Sequence, residues 1–385
     1  MIKDLFVTAF IADIHFGAVK SDVLYTELTE RFLKVIDGKK IDMIVFGGDL
    51  FHNIITMNYS TSHIVLLFMR NVFDVCEKNG IKYVRIIQGT MSHDNNQLHN
   101  FHIFEKETSV DFKIILSVQE ETLPEGIRIL YIPEEYMKDP NEYYREYLDG
   151  KSKKYDFIFG HGMVDEVAFV AKNQESENTM SKAPIFKSKQ LINACRGPIY
   201  FGHIHTRTTV RNHLHYPGSF TRWRHGEEAE KGFFLSVYST TEHKYFHEFV
   251  VNDLAPTYIT VEIIPGQEYV EDPDKIVQRI REVSADNIRV VFHIPDDIDC
   301  TYAIQYLTET YRNNSKIKFV TKNTKDLAKE IREEEIYKQI FDKYSFVFDK
   351  SLTKSQVIQK FIKVKKGRDI PIEIIKDELS GVEID

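Results

Sequence analysis

"YFGHIHTRTTV", residues 200–210, puts two histidines, His203 and His205, one residue apart behind a short apolar run and a glycine. Such a run reads as a buried strand that stops at a polar edge. The same punctuation recurs along the first half of the chain. "LFVTAFIADIH" ends in Asp13 and His15, "IDMIVFGGDLFH" in Asp49 and His52, "KYVRIIQGTMSHD" in Ser92, His93 and Asp94, and "DFIFGHG" in His161. Between the first of these runs, "SDVLYTELTERFLKVI" and "STSHIVLLFMRNVFDVCEKNG" carry helical apolar spacing, the first behind a Ser or Asp cap and the second ending in Asn-Gly. Strands alternating with helices predict a layered α/β domain. Their polar ends then fall on one sheet edge, where α/β proteins bind ligands.

Taken singly, an Asp at a strand end is a turn or helix cap, and a lone His is structural. Five successive strand ends that each supply Asp or His, with glycines allowing close backbone approach, exceed what capping explains. Carboxylates with imidazoles and no thiolates suit a hard or borderline divalent cation, best Mn²⁺, with Mg²⁺, Fe²⁺ or Zn²⁺ of the same kind. The donor set is too large for one ion. Two ions about 3.5–4 Å apart, sharing a carboxylate, can activate water and hold the oxygens of a phosphodiester, so the chemistry expected is metal-assisted phosphate-ester hydrolysis.

The ordered series "DIH", "GGD", "SHD", "GH" and "GHIH" resembles the calcineurin-like metallophosphoesterases, and within them the SbcD-type nuclease subunit of the SbcCD DNA-repair complex and its counterparts in large bacteriophages. "DLFH" and "YPGSFTRWRHGEEAEKGFFL" are the subfamily hints, and the likeness covers roughly residues 1–250. The resemblance implies a metallophosphoesterase β-sandwich flanked by helices. It also implies that Asp13, His15, Asp49 and His205 hold one ion and Asp49, His161 and His203 the other, with Asp49 as the bridge. His93 would stabilise charge or protonate the leaving oxygen, Asp94 would orient His93, and His52 would contact phosphate. The pattern departs in one place: "GTMSHD" at 89–94 is two residues longer than the family's G-N-H-D and puts Ser92 where a metal-binding Asn belongs. Ser92 is expected to be a weak donor, and Thr90 or Asn95 is the rival for its position.

Beyond residue 230, "KGFFLSVYSTTEHKYFHEFVV" predicts two strands joined by a polar turn, and the nuclease domain is expected to end at 252. Residues 257–322 read as strand, helix, strand, helix and strand, a small α/β domain that the resemblance makes a cap over the DNA path. Residues 325–366 are expected to be helical, with Leu327, Ile331, Ile336, Ile340 and Phe341 offering an apolar stripe for docking on a coiled-coil ATPase of the SbcC type, and 367–385 to be a tail. A homodimer of this chain within a heterotetramer is implied.

The net charge of –8 argues against a polyanionic partner. Its distribution argues the other way. Residues 178–226 contain no Asp or Glu but hold Arg207, Arg211, Arg222 and Arg224, read here as a DNA track, and 350–368 hold seven Lys or Arg. Three cysteines in no close pair exclude a disulfide framework and a thiolate zinc site, and no apolar run reaches the length of a membrane span. A cytoplasmic location is expected, the host's if the chain is phage-encoded. The composite expectation is a metal-dependent DNA nuclease, exonuclease and endonuclease, against two alternatives: a phosphoesterase for small nucleotides or phosphoproteins, and a DNA-binding scaffold with a degraded metal site.

Overall fold

A computed structural model describes residues 4–54, 59–137, 139–148, 154–167, 184–264, 272–294, 300–323, 352–366 and 369–379. It is a mixed α/β chain that divides into two compact units, 1–260 with 284–288, and 261–283 with 289–385.

In chain order the first unit's strands are β1 (Leu5–Ile11), β2 (Met43–Phe46), β3 (Tyr83–Ile87), β4 (Asp111–Ile115), β5 (Gln119–Thr122), β6 (Arg128–Ile132), β7 (Phe157–His161), β8 (Met163–Val164), β9 (Ile185–Phe186), β10 (Ile199–Gly202), β11 (Thr208–Val210), β12 (Leu214–Tyr216), β13 (Gly232–Ser239) and β14 (Lys244–Val251). They form two six-stranded mixed sheets, ordered β14-β13-β1-β2-β3-β4 and β11-β12-β10-β7-β6-β5, with β8 and β9 paired apart. β1, β2, β3 and β4 run parallel, as do β6, β7, β10 and β12, so in each sheet four neighbouring strands deliver their carboxyl ends to one edge.

Strand residues alternate between the two faces of a pleated sheet, and the sequence obeys that period. Phe6 and Phe10 of β1, Met43 and Val45 of β2, Ile129 and Tyr131 of β6, and Phe157 and Phe159 of β7 join one apolar cluster fed by both sheets. Phe6 meets Phe157 and Phe10 meets Phe159, each at a ring separation of 5.8 Å. The intervening residues face the other way: Ala9, Ile11, Ile44 and Phe46 into one outer cluster, and Leu130, Ile132 and Ile158 into another. Helix Tyr59–Asn79 covers the first sheet with Val65, Phe68, Met69, Val72, Phe73 and Cys76, a stripe at helical spacing. Fully burying one such Phe contributes about 1.5–3 kcal/mol. The helix stops at Gly80, whose φ of +68° suits a left-handed cap.

Strands Tyr258–Ile263, Asn287–Ile294 and Ile317–Asn323 form a three-stranded sheet with helices Pro273–Glu282 and Thr301–Thr310. Pro273 opens its helix at a position where no amide is needed, and Ile276, Val277 and Ile280 are buried. Helices Lys354–Lys366 and Ile372–Leu379 follow, tied by the Gln359 amide donating to the Ile370 carbonyl at 2.7 Å. Leu327, Ile331, Ile336, Ile340 and Phe341 of the expected docking stripe lie outside the described residues.

Candidate metal centre

The carboxyl ends of β1, β2 and β3 meet those of β6, β7 and β10, and main-chain hydrogen bonds lock the loops together. Asp13 N–H donates to the Gly48 carbonyl and His15 N–H to the Asp49 carbonyl, both at 3.0 Å, while Glu134 N–H of the second sheet donates to Gln88 O of the first at 3.2 Å. The backbone is bent hard here. Asp13, His15, Asp49 and His203 have φ of +50°, +54°, +51° and +98°, a region that costs a side-chain-bearing residue about 1–3 kcal/mol. Glycine is obligatory beside them: a Cβ on Gly48 would stand 2.2 Å from His161 Nδ1, and one on Gly89 2.2 Å from Asp49 Oδ1.

Two donor groups result, Asp13 with His15 and His205, and Asp49 with His161 and His203, so the two histidines of "GHIH" part to different groups. Asp49 stands between them. Its Oδ2 is 3.8 Å from His15 Nε2 and its Oδ1 3.3 Å from His161 Nε2. His52 and His93 form a third grouping with His15. Asp13, His15, Asp49 and His161 are at most 2% exposed.

The donors suit cations better than they suit one another. His161 Nδ1 faces the Gly47 carbonyl at 2.8 Å, and a carbonyl only accepts, so Nδ1 carries the ring proton. Nε2 is buried with no hydrogen-bond partner, beside the oxygens of Asp49 and, at 3.9 Å, of Glu134. A neutral ring would aim a lone pair at two carboxylates. Burial opposes a second proton, but Asp49, then Asp13 and Glu134, hold the His161 pKa well above the imidazole range. A divalent ion held there by His161 and Asp49 would do the same service in place of the proton. His15 is the converse: burial keeps its pKa well below the usual value and the ring neutral, and its Nε2 faces His205 Nε2 at 3.2 Å. Burial also lifts Asp13 to about 6, against the pull of His161 and His205. His205 is oriented by Glu227, whose Oε1 lies 3.3 Å from Nδ1 and leaves Nε2 for ligation.

Ser92 lines the cavity of about 300 Å³ over these donors, but it is exposed. Thr90, its rival, is drawn inward: Thr90 N–H donates to Asp49 Oδ1 at 2.6 Å and its hydroxyl to Asp49 Oδ2 at 3.2 Å. Asp94 does not orient His93. Its carboxylate accepts from the amides of Asp49, Leu50, Phe51 and Gly89 at 2.7–3.2 Å, clamping the Asp49 loop, while His93 Nδ1 donates to the His52 carbonyl, so the carbonyl orients His93 instead. Burial, then the nearby Asp49, lifts Asp94 to about 7.

The acid-free window is not acid-free in space. Arg207 pairs with Glu230 at 3.1 Å and lies over the Phe249 ring, Arg211 pairs with Glu166, and Arg224 donates to Glu227 at 3.1 Å. Arg222 donates to the carbonyls of Ala229 and Ala255, holding the chain rather than facing solvent with its guanidinium. Of the four arginines of the expected track, Arg224 lines the cavity. Besides Glu227, three participants escaped the sequence reading. Glu134, 1% exposed, follows β6, a strand passed over; Trp223, the chain's one tryptophan, sits 4.6 Å from His15 and 4.9 Å from His205 by ring centres; and Lys231 donates to the His205 carbonyl at 2.9 Å.

No family model matches the chain, and no curated protein matches it. Among solved structures it is similar to GAP50, the anchor in the inner membrane complex of Plasmodium, at 13% identity and a TM-score of 0.41 over 65% of this chain and 86% of that one. It is similar to a dimetal phosphatase from Danio rerio at 9% identity and 0.30, over 64% and 100%. A cold-active protein-tyrosine phosphatase of a psychrophilic Shewanella species gives 12% and 0.28, over 64% and 80%. Likenesses of this depth assign no activity. Among the described residues no helix is long and apolar enough to cross a membrane.

Proposed function

We propose that the chain is a two-ion phosphoester hydrolase of the metallophosphoesterase type and that its substrate is DNA. The observation that carries the reading is the convergence of the Asp13–His15–His205 and Asp49–His161–His203 groups on one buried carboxylate, Asp49. Two divalent ions, Mn²⁺ or Mg²⁺, would supply charge for the phosphate oxygens and acidify water. The chain's own residues do the rest. With Nδ1–H given to the His52 carbonyl, His93 presents Nε2 toward the centre, 4.0 Å from Asp49 Oδ2, where it can pass a proton to the departing oxygen. Burial lowers the His52 pKa, leaving a neutral ring that contacts phosphate as a hydrogen-bond partner. Arg224, paired with Glu227, lines the cavity where its guanidinium can also meet a phosphate. Asp94 fixes the Asp49 loop so that little reorganisation accompanies turnover.

The nuclease reading extends to a partner: an SbcC-type coiled-coil ATPase docked on residues 325–366, two chains of each in the assembly. The resemblance supports it, together with the basic run 350–368. Deleting the chain after Asn323 is expected to leave Mn²⁺-dependent cleavage of short DNA and abolish co-purification with the ATPase.

The deciding assay sets double- and single-stranded DNA beside a chromogenic phosphodiester and a phosphopeptide, with Mn²⁺ and with chelator. Metal-dependent DNA cleavage is expected. Turnover of the small esters alone would assign a small-substrate phosphoesterase, and DNA binding without any hydrolysis a scaffold.

A further inference from the structure

Glu134 has no place in the ligand set implied by the sequence, yet it stands against two residues of the second donor group. It is 1% exposed, at the end of β6, and its Oε2 lies 3.0 Å from His203 Nδ1, 3.9 Å from His161 Nε2 and 3.4 Å from the Thr90 hydroxyl. Its other oxygen accepts from Tyr136 OH at 2.7 Å, which fixes the carboxylate's orientation from behind. Donors that share an ion about 2.1 Å away stand roughly 3.0–3.9 Å apart for bond angles of about 90–135°. The Glu134–His203, Asp49–His161 and Glu134–His161 separations of 3.0, 3.3 and 3.9 Å span that range. A buried carboxylate among imidazoles is also the expected answer to an open coordination position, because a charge without a counter-ion does not stay buried. Ser92, the loop residue expected at that position, is exposed.

We infer that Glu134 is a ligand of the second ion, making that site Asp49, His161, His203 and Glu134, two carboxylates and two imidazoles that suit Mn²⁺. The inference rests on the two-ion reading of the centre. A site with two anionic donors holds its ion without help from the 89–94 loop, so Ser92→Asn leaves the Mn²⁺ affinity unchanged.

The test is Mn²⁺ titration of the metal-free full chain by calorimetry, with electron paramagnetic resonance for the spin-coupled Mn²⁺ pair and thermal melting in chelator to verify the fold. The parent is expected to bind two Mn²⁺ and show the coupled spectrum. Glu134→Ala and the near-isosteric Glu134→Gln are expected to keep the first ion at parental affinity, weaken the second by more than the roughly 10–100-fold that loss of a merely orienting partner costs, and lose the coupled spectrum. If Glu134→Ala does not fold, Glu134→Gln carries the measurement. Had Glu134 served only to orient His203 by hydrogen bonding, the amide oxygen of Glu134→Gln would still accept; second-ion affinity retained in that variant overturns the inference. Two Mn²⁺ lost in part on substitution, with no phosphoester cleaved by the parent, would sink the proposed function and leave Glu134 a ligand. DNA cleavage with two Mn²⁺ bound equally by parent and variants would do the reverse.

Discussion

Replacing Gly89 by alanine strikes the centre without touching a donor. The added methyl would lie 2.2 Å from both the amide nitrogen and Oδ1 of Asp49, where ordinary contact begins at 3.4 Å, so one side must retreat by about 1.2 Å. Neither side is free to do so. Gly89 N–H is held by Asp94 at 2.7 Å, the Asp49 amide by the same carboxylate at 3.0 Å, and Thr90 N–H by Asp49 Oδ1 at 2.6 Å. Forcing a methyl into such packing costs about 1–3 kcal/mol, which the whole fold tolerates. The metal centre would not: ligand positions have about 0.2 Å of latitude, and the displaced oxygen belongs to the carboxylate that the two-ion proposal makes common to both ions. Gly89→Ala is therefore expected to stay folded in chelator with a modestly lowered melting point, to lose Mn²⁺ affinity by about 100-fold or more, and to lose hydrolysis with it. Calorimetric titration alongside melting reads both effects. Parental stoichiometry and affinity in a folded Gly89→Ala would refute the placement of Asp49 against that glycine.

His93→Ala is expected to bind Mn²⁺ as the parent does while turnover falls by about 10²–10⁴-fold; a lost equivalent in calorimetry would make His93 a ligand instead. In the metal-free protein, burial lifts Asp13 from 3.8 to about 6 and Asp94 to about 7, so the fold binds protons that the unfolded chain has released. The stability these two acids contribute, read in urea as the difference between the parent and the Asp13→Asn and Asp94→Asn variants, should then fall as pH rises from about 4 to 7; a contribution that rises through this window would contradict the burial of these acids. Away from the centre, Glu121 is opposed by burial yet held at about 2, down from 4.5, by the fully buried Arg85 and by Lys113. Its contribution is present above 4.5 and lost as pH falls toward 2, and Glu121→Ala, which leaves Arg85 with Asp111 as its remaining ion-pair partner, should cost about 1.5–3 kcal/mol in urea unfolding; no measurable cost would show that Asp111 suffices for Arg85.

Much of this was legible because it is local. Period-two alternation in "LFVTAFI" and "MIVF" assigns Phe6, Phe10, Met43 and Val45 to one face, and the polar residues that follow each run fall on the shared edge by chain continuity alone. What escaped depends on partners distant in sequence. Arg211 and Glu166 are 45 residues apart, so a window without acids says nothing about the acids folded against it. Glu134 sits in "IPEEY", which reads as surface charge unless "RILYI" is first recognised as a strand beside β7. Asp94 follows His93 in sequence, but its four amide partners come from two loops that only the fold brings together.

The most direct test of the two-ion centre is to titrate Mn²⁺ into the metal-free full chain and to measure cleavage of double-stranded DNA at each point. Cleavage is expected to stay near zero while the first equivalent binds and to rise with the second, with Asp49→Asn inactive throughout and still folded. Full cleavage at one equivalent, or in chelator, would contradict a bridge at Asp49.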